Sequence, residues 1–319
     1  MTQRDTFISR LFEYAKKDKD IIFISVDMGA PSLDIWREEL PDQFIAAGIS
    51  EQNAINVAAG LASEGKKVYV YFMASWMARC FEQIRYSCSM ANNPITIIGN
   101  GIPLGYAPAG PAHEPTEDIA YMRSINNIEI YSPSNLHMTK ALVDLTLEKP
   151  KLRYMRLERK FASELEPYHT NINSISVETG VSLIKGGLKD PIESGNKKVA
   201  ILTNGYMLGR GYQVWEKLIE KGIEVSLYDI WKLKPLNQKV LKSNISHYDY
   251  LITIEEQSLD GGFGSIISEF ICDNQLNHKL LRLGLPEKFI FENGSRDHLI
   301  DTHGLSTEEI YTNINNFIK

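Results

Sequence analysis

GISEQNAINVAAGLASEG, residues 48–65, reads as the end of a strand, a tight turn and a helix that starts near Glu51. Ala54, Ala58, Ala59, Gly60 and Ala62 keep that helix slim enough to lie against another backbone, while Ile55 and Leu61 add apolar bulk. A helix of this composition is expected to be buried at an interface. Glu51 stands in its first turn, where the positive end of the helix dipole favours a carboxylate, so a residue that only compensates the dipole would look the same. Burial separates the two readings. A glutamate at the start of a buried helix is partly desolvated, and desolvation raises a carboxyl pKa toward the range in which it exchanges a proton near neutrality.

On either side of this stretch, strand and helix patterns alternate. IIFISVD (21–27) is the nearly continuous apolar run of a parallel strand covered on both faces, and it follows a segment with helical spacing at 6–17. A strand at 44–47 leads into the Glu51 helix, KVYVYF (67–72) into a helix from Ser75, PITIIG (94–99) into a Gly/Pro loop, and IEIYSP (128–133) into a helix from Ser134. A stretch rich in Pro, Gly, Asn and Ser then reads as a linker with an outlying hairpin. Alternation resumes with VAILTNG (199–205), a helix at 211–221, strands at 224–230 and 250–256, a helix after GGFGS and a terminal helix at 307–317. The expectation is an α/β protein of two domains, each a mostly parallel sheet flanked by helices: 1–160, a linker at 161–197, and 198–319. Such sheets take their ligands at the carboxyl ends of the strands. Asp27, Glu51, residues 73–76 and the loop 101–113 all fall at that edge.

Composition narrows the function classes. The chain has 319 residues, 43% of them hydrophobic, enough for two cores. A net charge of -6 with the signs interspersed argues against nucleic acid as a partner. No apolar run approaches the roughly 18 to 20 residues that span a bilayer, and MTQRDTF lacks a signal-peptide core, so no membrane is expected and the expected location is cytoplasmic. Cys80, Cys88 and Cys272 show no CxxC spacing and are expected to pack inside as small hydrophobes.

GISEQ with its small-residue helix, then SWMARCFEQIR (75–85), then GPAHEPTED (110–118) resemble, in that order, the pyrimidine-binding half of the transketolases and of 1-deoxyxylulose-5-phosphate synthase. GLPEKFIFENGSRDHL (284–299) is similar to the last domain of those enzymes, so the resemblance covers nearly the whole chain but not the whole enzyme. It implies thiamine diphosphate, with Glu51 as the acid/base group on the pyrimidine ring. Trp76 occupies the place of an aromatic that stacks on the aminopyrimidine. Arg79 matches an arginine of the deoxyxylulose-phosphate synthases, Met28 and Ile49 match apolar positions around the pyrimidine, and Asp27 matches an aspartate near the cofactor, although a strand-end turn also suits it. His113 matches the histidine that reaches the substrate. For a substrate phosphate the resemblance points to Arg4, Ser32 and Arg156, the last also able to pair with Glu158. A further phosphate-site histidine of the family falls near Gly99. One departure stands out: four residues before His113, where the family has an acidic side chain contacting a donor hydroxyl, this chain has Ala109 in a longer loop.

The family grips the cofactor's diphosphate through a GDG segment and a downstream asparagine that hold a divalent cation, and neither is found here. The resemblance therefore implies no metal site in this chain, and an N-terminal diphosphate-binding subunit that holds magnesium or calcium and shares the cofactor. Two copies of each chain, paired by a two-fold axis through the small-residue helix, would form a heterotetramer. The expected function is the catalytic half of a thiamine diphosphate-dependent transferase that moves a two-carbon ketol unit between sugar phosphates or a modified sugar. Two other readings stay open: the β subunit of a 2-oxo acid dehydrogenase, which shares GI-x-EQ and the domain order, and a non-catalytic scaffold subunit.

Overall fold

The uninterrupted apolar runs form strands covered on both faces. In the computed structural model, which describes residues 1–159, 176–186 and 197–319, the strands are β1 (Ile21–Ser25), β2 (Phe44–Ala46), β3 (Lys67–Met73), β4 (Ile95–Asn100), β5 (Glu129–Tyr131), β6 (Arg153–Leu157), β7 (Val181–Lys185), β8 (Val199–Thr203), β9 (Val225–Ile230), β10 (Lys232–Lys234), β11 (Tyr250–Ser258) and β12 (Lys279–Leu285). They make two sheets. The first runs β10-β5-β6-β4-β3-β1-β2 and is parallel except for β10; the second runs β12-β11-β8-β9-β7 and is parallel except for β7. Helices cover both sheets, several of them capped as their sequences suggest: Thr2 and Asn135 each accept a backbone N–H of the first turn that follows.

Two strands depart from the sequence reading. β7 lies within the stretch read as a linker and pairs with β9 rather than with a neighbouring hairpin strand; 161–175 and 187–196 of that stretch lie outside the described residues. β10 comes from the second half of the chain yet closes the edge of the first sheet against β5. The two halves also share a hydrophobic core, in which Ile130 and Tyr154 join Tyr228, Leu233 and Phe263. Periodicity reports which faces are apolar, not which edge a short strand will complete.

The segment from Ser75 is not a regular α-helix. It is 3-10 over Ala74–Cys80, one α turn at Phe81–Gln83 and a π turn at Ile84–Met90. Cys80 and Cys88 are buried there as expected, whereas Cys272, in the last turn of the Phe263–Asp273 helix, faces outward, a correction to the reading of all three as core. Among the described residues no helix is long and apolar enough to cross a membrane.

Candidate active site

Gly48, at a φ of 68° that a side chain would strain, turns the chain from β2 into the Glu51–Ser63 helix, and Glu51 in the first turn is only 2% exposed. Its burial comes from within the chain. Ala54, Ala58, Ala59 and Ala62 pack into the core with Val68, Val70, Cys80 and Ile84, so the small-residue face meets the chain's own sheet, while Asn53, Asn56, Val57 and Gly60 face outward. This corrects the expectation that the alanine face meets a second copy. Glu51 Oε2 accepts a hydrogen bond from Arg79 Nη1 at 2.9 Å, and its Oε1 is buried with no hydrogen-bond partner.

The 3-10 winding of Ala74–Cys80 eclipses residues three apart. It thereby sets the Arg79 guanidinium 6.0 Å from the ring centroid of Trp76. The half-buried Trp76 ring lies 5.9 Å from that of His113. Glu51, Arg79, Trp76 and His113 thus form one continuous contact, drawn from two strand ends and a loop.

His113 ends a loop that begins at Asn100 and is pinned by packing. Leu104, in a left-handed conformation at φ 59°, is fully buried, and with Ala107 it belongs to the core of the second half, beside Met207 and Ile254. Tyr106 folds back over Gly101, where a Cβ would lie 2.0 Å from the ring, and accepts a hydrogen bond from Asn100 Nδ2 at 2.7 Å. Its ring is 6.3 Å from His113 and carries the Arg159 guanidinium 4.0 Å above its centroid. Burial raises the Tyr106 pKa, and the charges of Arg159 and Arg4 oppose that shift. His113 Nδ1 is buried without a partner. The sequence alone does not single out Asn100, Tyr106 or Arg159; a polar residue closing an apolar strand, in ITIIGN and again after YMRL, is the signal for the first and the last.

The three residues expected at a phosphate divide. Arg4 pairs with Asp5 at 3.0 Å, and Ser32 donates to the same carboxylate at 2.8 Å. Burial works against the charge of Asp5, but Arg4, Thr2 and Ser32 hold its pKa below the usual carboxylate range. Arg156 does not join them. Its side chain is fully buried, with Nε 2.7 Å from Asp118 Oδ2, Nη2 on Asp118 Oδ1 and Nη1 on the Ser132 hydroxyl. Pairing with Glu158 does not occur either, because Glu158 meets Arg296. Asp27, at φ 44°, and Ile49 are exposed at the strand ends, and Met28 is half-buried.

Beneath the loop, buried charges join the two halves. Arg296 sits between Glu158 and Glu256 with its guanidinium 3.5 Å over the Tyr206 ring, and Gln257 Nε2 donates to Asp118 Oδ1 at 2.9 Å. Burial pushes Glu114, next to His113, up to about 7. A charge network this deep fixes one relative placement of the halves, and with it the loop that carries His113.

Two family models match the chain: the transketolase pyrimidine binding domain over residues 1–163 and the transketolase C-terminal domain over 189–310. The chain is 29% identical over 318 residues to the B subunit of apulose-4-phosphate transketolase from Phocaeicola vulgatus, covering 99% of this chain and 97% of that one. It is 28% identical over 302 residues to a putative transketolase C-terminal section of Methanocaldococcus jannaschii, covering 94% and 91%. It is also 28% identical to the 1-deoxy-D-xylulose-5-phosphate synthase of Aquifex aeolicus, of which it spans 49%. Among solved structures, a split gene transketolase described as an inactive β4 tetramer superposes with a TM-score of 0.82 at 23% identity, covering 100% of this chain and 98% of that one. A Pichia stipitis transketolase superposes at 0.77 and 15% identity over 46% of its own length. Both structures show the same fold. With over half of its residues inside the first model alone, this chain belongs to the transketolase family, carrying the family's pyrimidine binding and C-terminal domains.

Proposed function

We propose that this chain is the pyrimidine-side catalytic subunit of a thiamine diphosphate-dependent, transketolase-like enzyme that moves a two-carbon ketol unit between sugar phosphates or a modified sugar. One observation carries the reading: Glu51 is buried, one carboxylate oxygen is held by Arg79, and the other has no partner beside the Trp76 and His113 rings. Buried polar atoms are nearly always paired, so an orphaned carboxylate oxygen in such a place fits a nitrogen of a bound heterocycle. These residues suit the cofactor. When bound, it supplies the carbanion chemistry of ketol transfer. Glu51 holds and moves a proton at Oε1, Trp76 offers its ring face to the pyrimidine, and Ile49, Met28 and Asp27 line the strand ends around it. With Nδ1 of His113 buried, Nε2 is the nitrogen that exchanges a proton with substrate.

On this reading the diphosphate and its magnesium or calcium are held by a separate N-terminal subunit, and two copies of each chain assemble. Supporting it, a relative of which this chain covers 97% is itself named as one subunit of a transketolase. The purified chain alone is expected neither to bind the cofactor tightly nor to turn over; mixed with its partner it should gain both, with light scattering giving two of each chain. Activity of the chain by itself, or a stable complex of one copy each, would count against the proposal. Oxidative decarboxylation dependent on a lipoyl domain would instead support the dehydrogenase reading, and the relatives above carry transketolase and synthase names.

At the substrate end, Arg159, which is exposed, and Arg4, which pairs with Asp5 but keeps part of its side chain exposed, are the arginines left to meet a phosphate, since Arg156 is fully buried against Asp118. Ala109 is exposed on a 3-10 turn and supplies no hydrogen bond to a donor hydroxyl, a loss that disfavours such a donor by roughly 1–3 kcal/mol. Apulose 4-phosphate, the substrate in the relative's name, is one candidate for a sugar with a different donor end. Ala109→Asp is expected to raise activity with xylulose 5-phosphate-type donors relative to the native donor by about tenfold. Should the unmodified enzyme already use such donors well and the substitution only harm it, the longer loop from Leu104 to Pro111 supplies the missing contact.

A further inference from the structure

At the edge of the first sheet opposite the candidate active site, the chain gathers positive charge around a single carboxylate. Glu129 accepts from Lys151 Nζ at 2.9 Å and from Arg153 Nε at 2.8 Å, and Lys232 Nζ lies 3.7 Å away. Lys234 adds a fourth cation, which donates to the backbone carbonyls of Arg123 and Ile125 rather than to an acid. Two of these cations come from each half of the chain, because β10 completes the first sheet here. Glu178 is the other acid that acts on Lys232, and it is itself paired with Lys149, so the edge keeps an excess of positive charge, part of it buried with Arg153 and part of it on the exposed Lys151. Arg153 is 1% exposed, and its Nη1 has no hydrogen-bond acceptor. Burial pushes the Lys232 pKa down; Glu129 opposes the shift, and the charges of Lys151 and Arg153 add to it.

The charge borders open space. A cavity of about 640 Å³ is lined by Glu129, Lys151 and Lys234, with Asn92 and Asn127 at its rim and proline rings for walls. A second cavity of about 170 Å³ adjoins it across Lys151, Pro94 and Pro150 and is lined by Lys66, Lys67 and Tyr69. The larger volume lies in the range of about 300–1,000 Å³ that small metabolites fill. Lys66 and Lys67 are already paired with Asp20 and Asp18, so the unneutralised charge is that of the Glu129 cluster. A phosphate ester carries about -1.5 to -2 near neutrality, which matches this excess better than a monocarboxylate does.

We propose that the groove bounded by Lys151, Glu129 and Lys234 binds a small phosphate-bearing anion, at a site separate from the one that holds Glu51 and His113. The anion neutralises the excess charge and bridges the first half, through Lys151, to the second, through Lys234. Its occupancy stabilises the junction of the halves. The proposal does not depend on the reaction assigned above.

The test is calorimetric titration and thermal melting of the full chain with inorganic phosphate, pyrophosphate and glycerol 3-phosphate, at constant ionic strength set with chloride. Saturable binding with a rise in melting temperature is expected. Lys151→Gln removes one charge-assisted contact from a half-exposed side chain and should weaken binding about tenfold, Lys234→Gln likewise, and Lys288→Gln, at an exposed lysine paired with Glu292 and outside both sites, should leave it unchanged. Glu129→Gln removes the competing acid and should tighten binding. Tighter binding of glycerol 3-phosphate than of inorganic phosphate identifies an organic ester as the ligand, and the reverse order identifies the free ion. Absence of saturable binding, binding weakened as much by Lys288→Gln as by Lys151→Gln, or binding indifferent to Lys151→Gln would overturn the proposal.

Discussion

Glu51→Gln in the reconstituted enzyme is expected to lower turnover by roughly 10²–10⁴-fold, the range associated with removing a positioned acid/base group. Glutamine keeps the size of the side chain and an oxygen that can still accept from Arg79, now 2.9 Å from the carboxylate, so the helix start and the surrounding packing should survive. Thermal melting should therefore change little while turnover collapses, a split that a purely structural role would not produce. A variant retaining activity within a few-fold of wild type would identify a scaffold subunit, or a cofactor that does not use this carboxylate.

Asp118→Ala should be the most destabilising single change around the site. Its carboxylate is fully buried and accepts from Arg156 through two nitrogens, from the Tyr154 hydroxyl at 2.6 Å and from Gln257 at 2.9 Å. Removing it strands a buried guanidinium, which costs about 3–5 kcal/mol. The half-exposed pair Arg10–Asp144, 3.0 Å apart with side chains 40% and 32% exposed and with the Tyr14 hydroxyl donating to the same carboxylate, provides the control. Asp144→Ala should cost ~1 kcal/mol or less, because water competes for both groups. Urea denaturation measures both. Equal effects from the two substitutions would mean that water reaches Arg156 and that the junction opens readily. Because Gln257 lies on β11 and Asp118 follows the His113 loop, the Asp118 variant should also lose activity beyond its loss of folded protein.

Arg156 shows where reading residues by type reaches its limit. An arginine near a strand end at the ligand-binding edge suits a phosphate, and nothing in YMRLER distinguishes Arg156 from Arg159. Strand alternation points Arg156 into the structure toward Asp118, while Arg159, beyond the end of β6, lies over Tyr106. The acid that neutralises Arg156 lies 38 residues earlier in the chain, a separation that no local pattern reports. The alanine stripe of the Glu51 helix is a similar case. Its spacing announces a close-packed face without naming the neighbour, and the neighbour is the chain's own sheet.

What the amino-acid sequence determined by itself was whatever depends on short-range periodicity and on residues adjacent in the chain. Short continuous apolar runs of β-branched residues between turn signals read as strands covered on both faces, small residues at helical spacing as a tightly packed helix, and Gly48 before Glu51 as a turn into a helix start. The order of GISEQ, the aromatic segment and GPAHEP then indicated the family. The tertiary structure alone decided which surfaces those elements meet. It left Glu51 Oε1 without a partner, seated Leu104 in the core of the second half, and moved β10 onto the first sheet. It also gathered Lys151, Arg153, Lys232 and Lys234 around Glu129. The physical reason is common to all of these. Local propensity acts over a turn or a strand, whereas hydrogen-bond pairing, charge neutralisation and close packing act between groups that only the completed fold brings together.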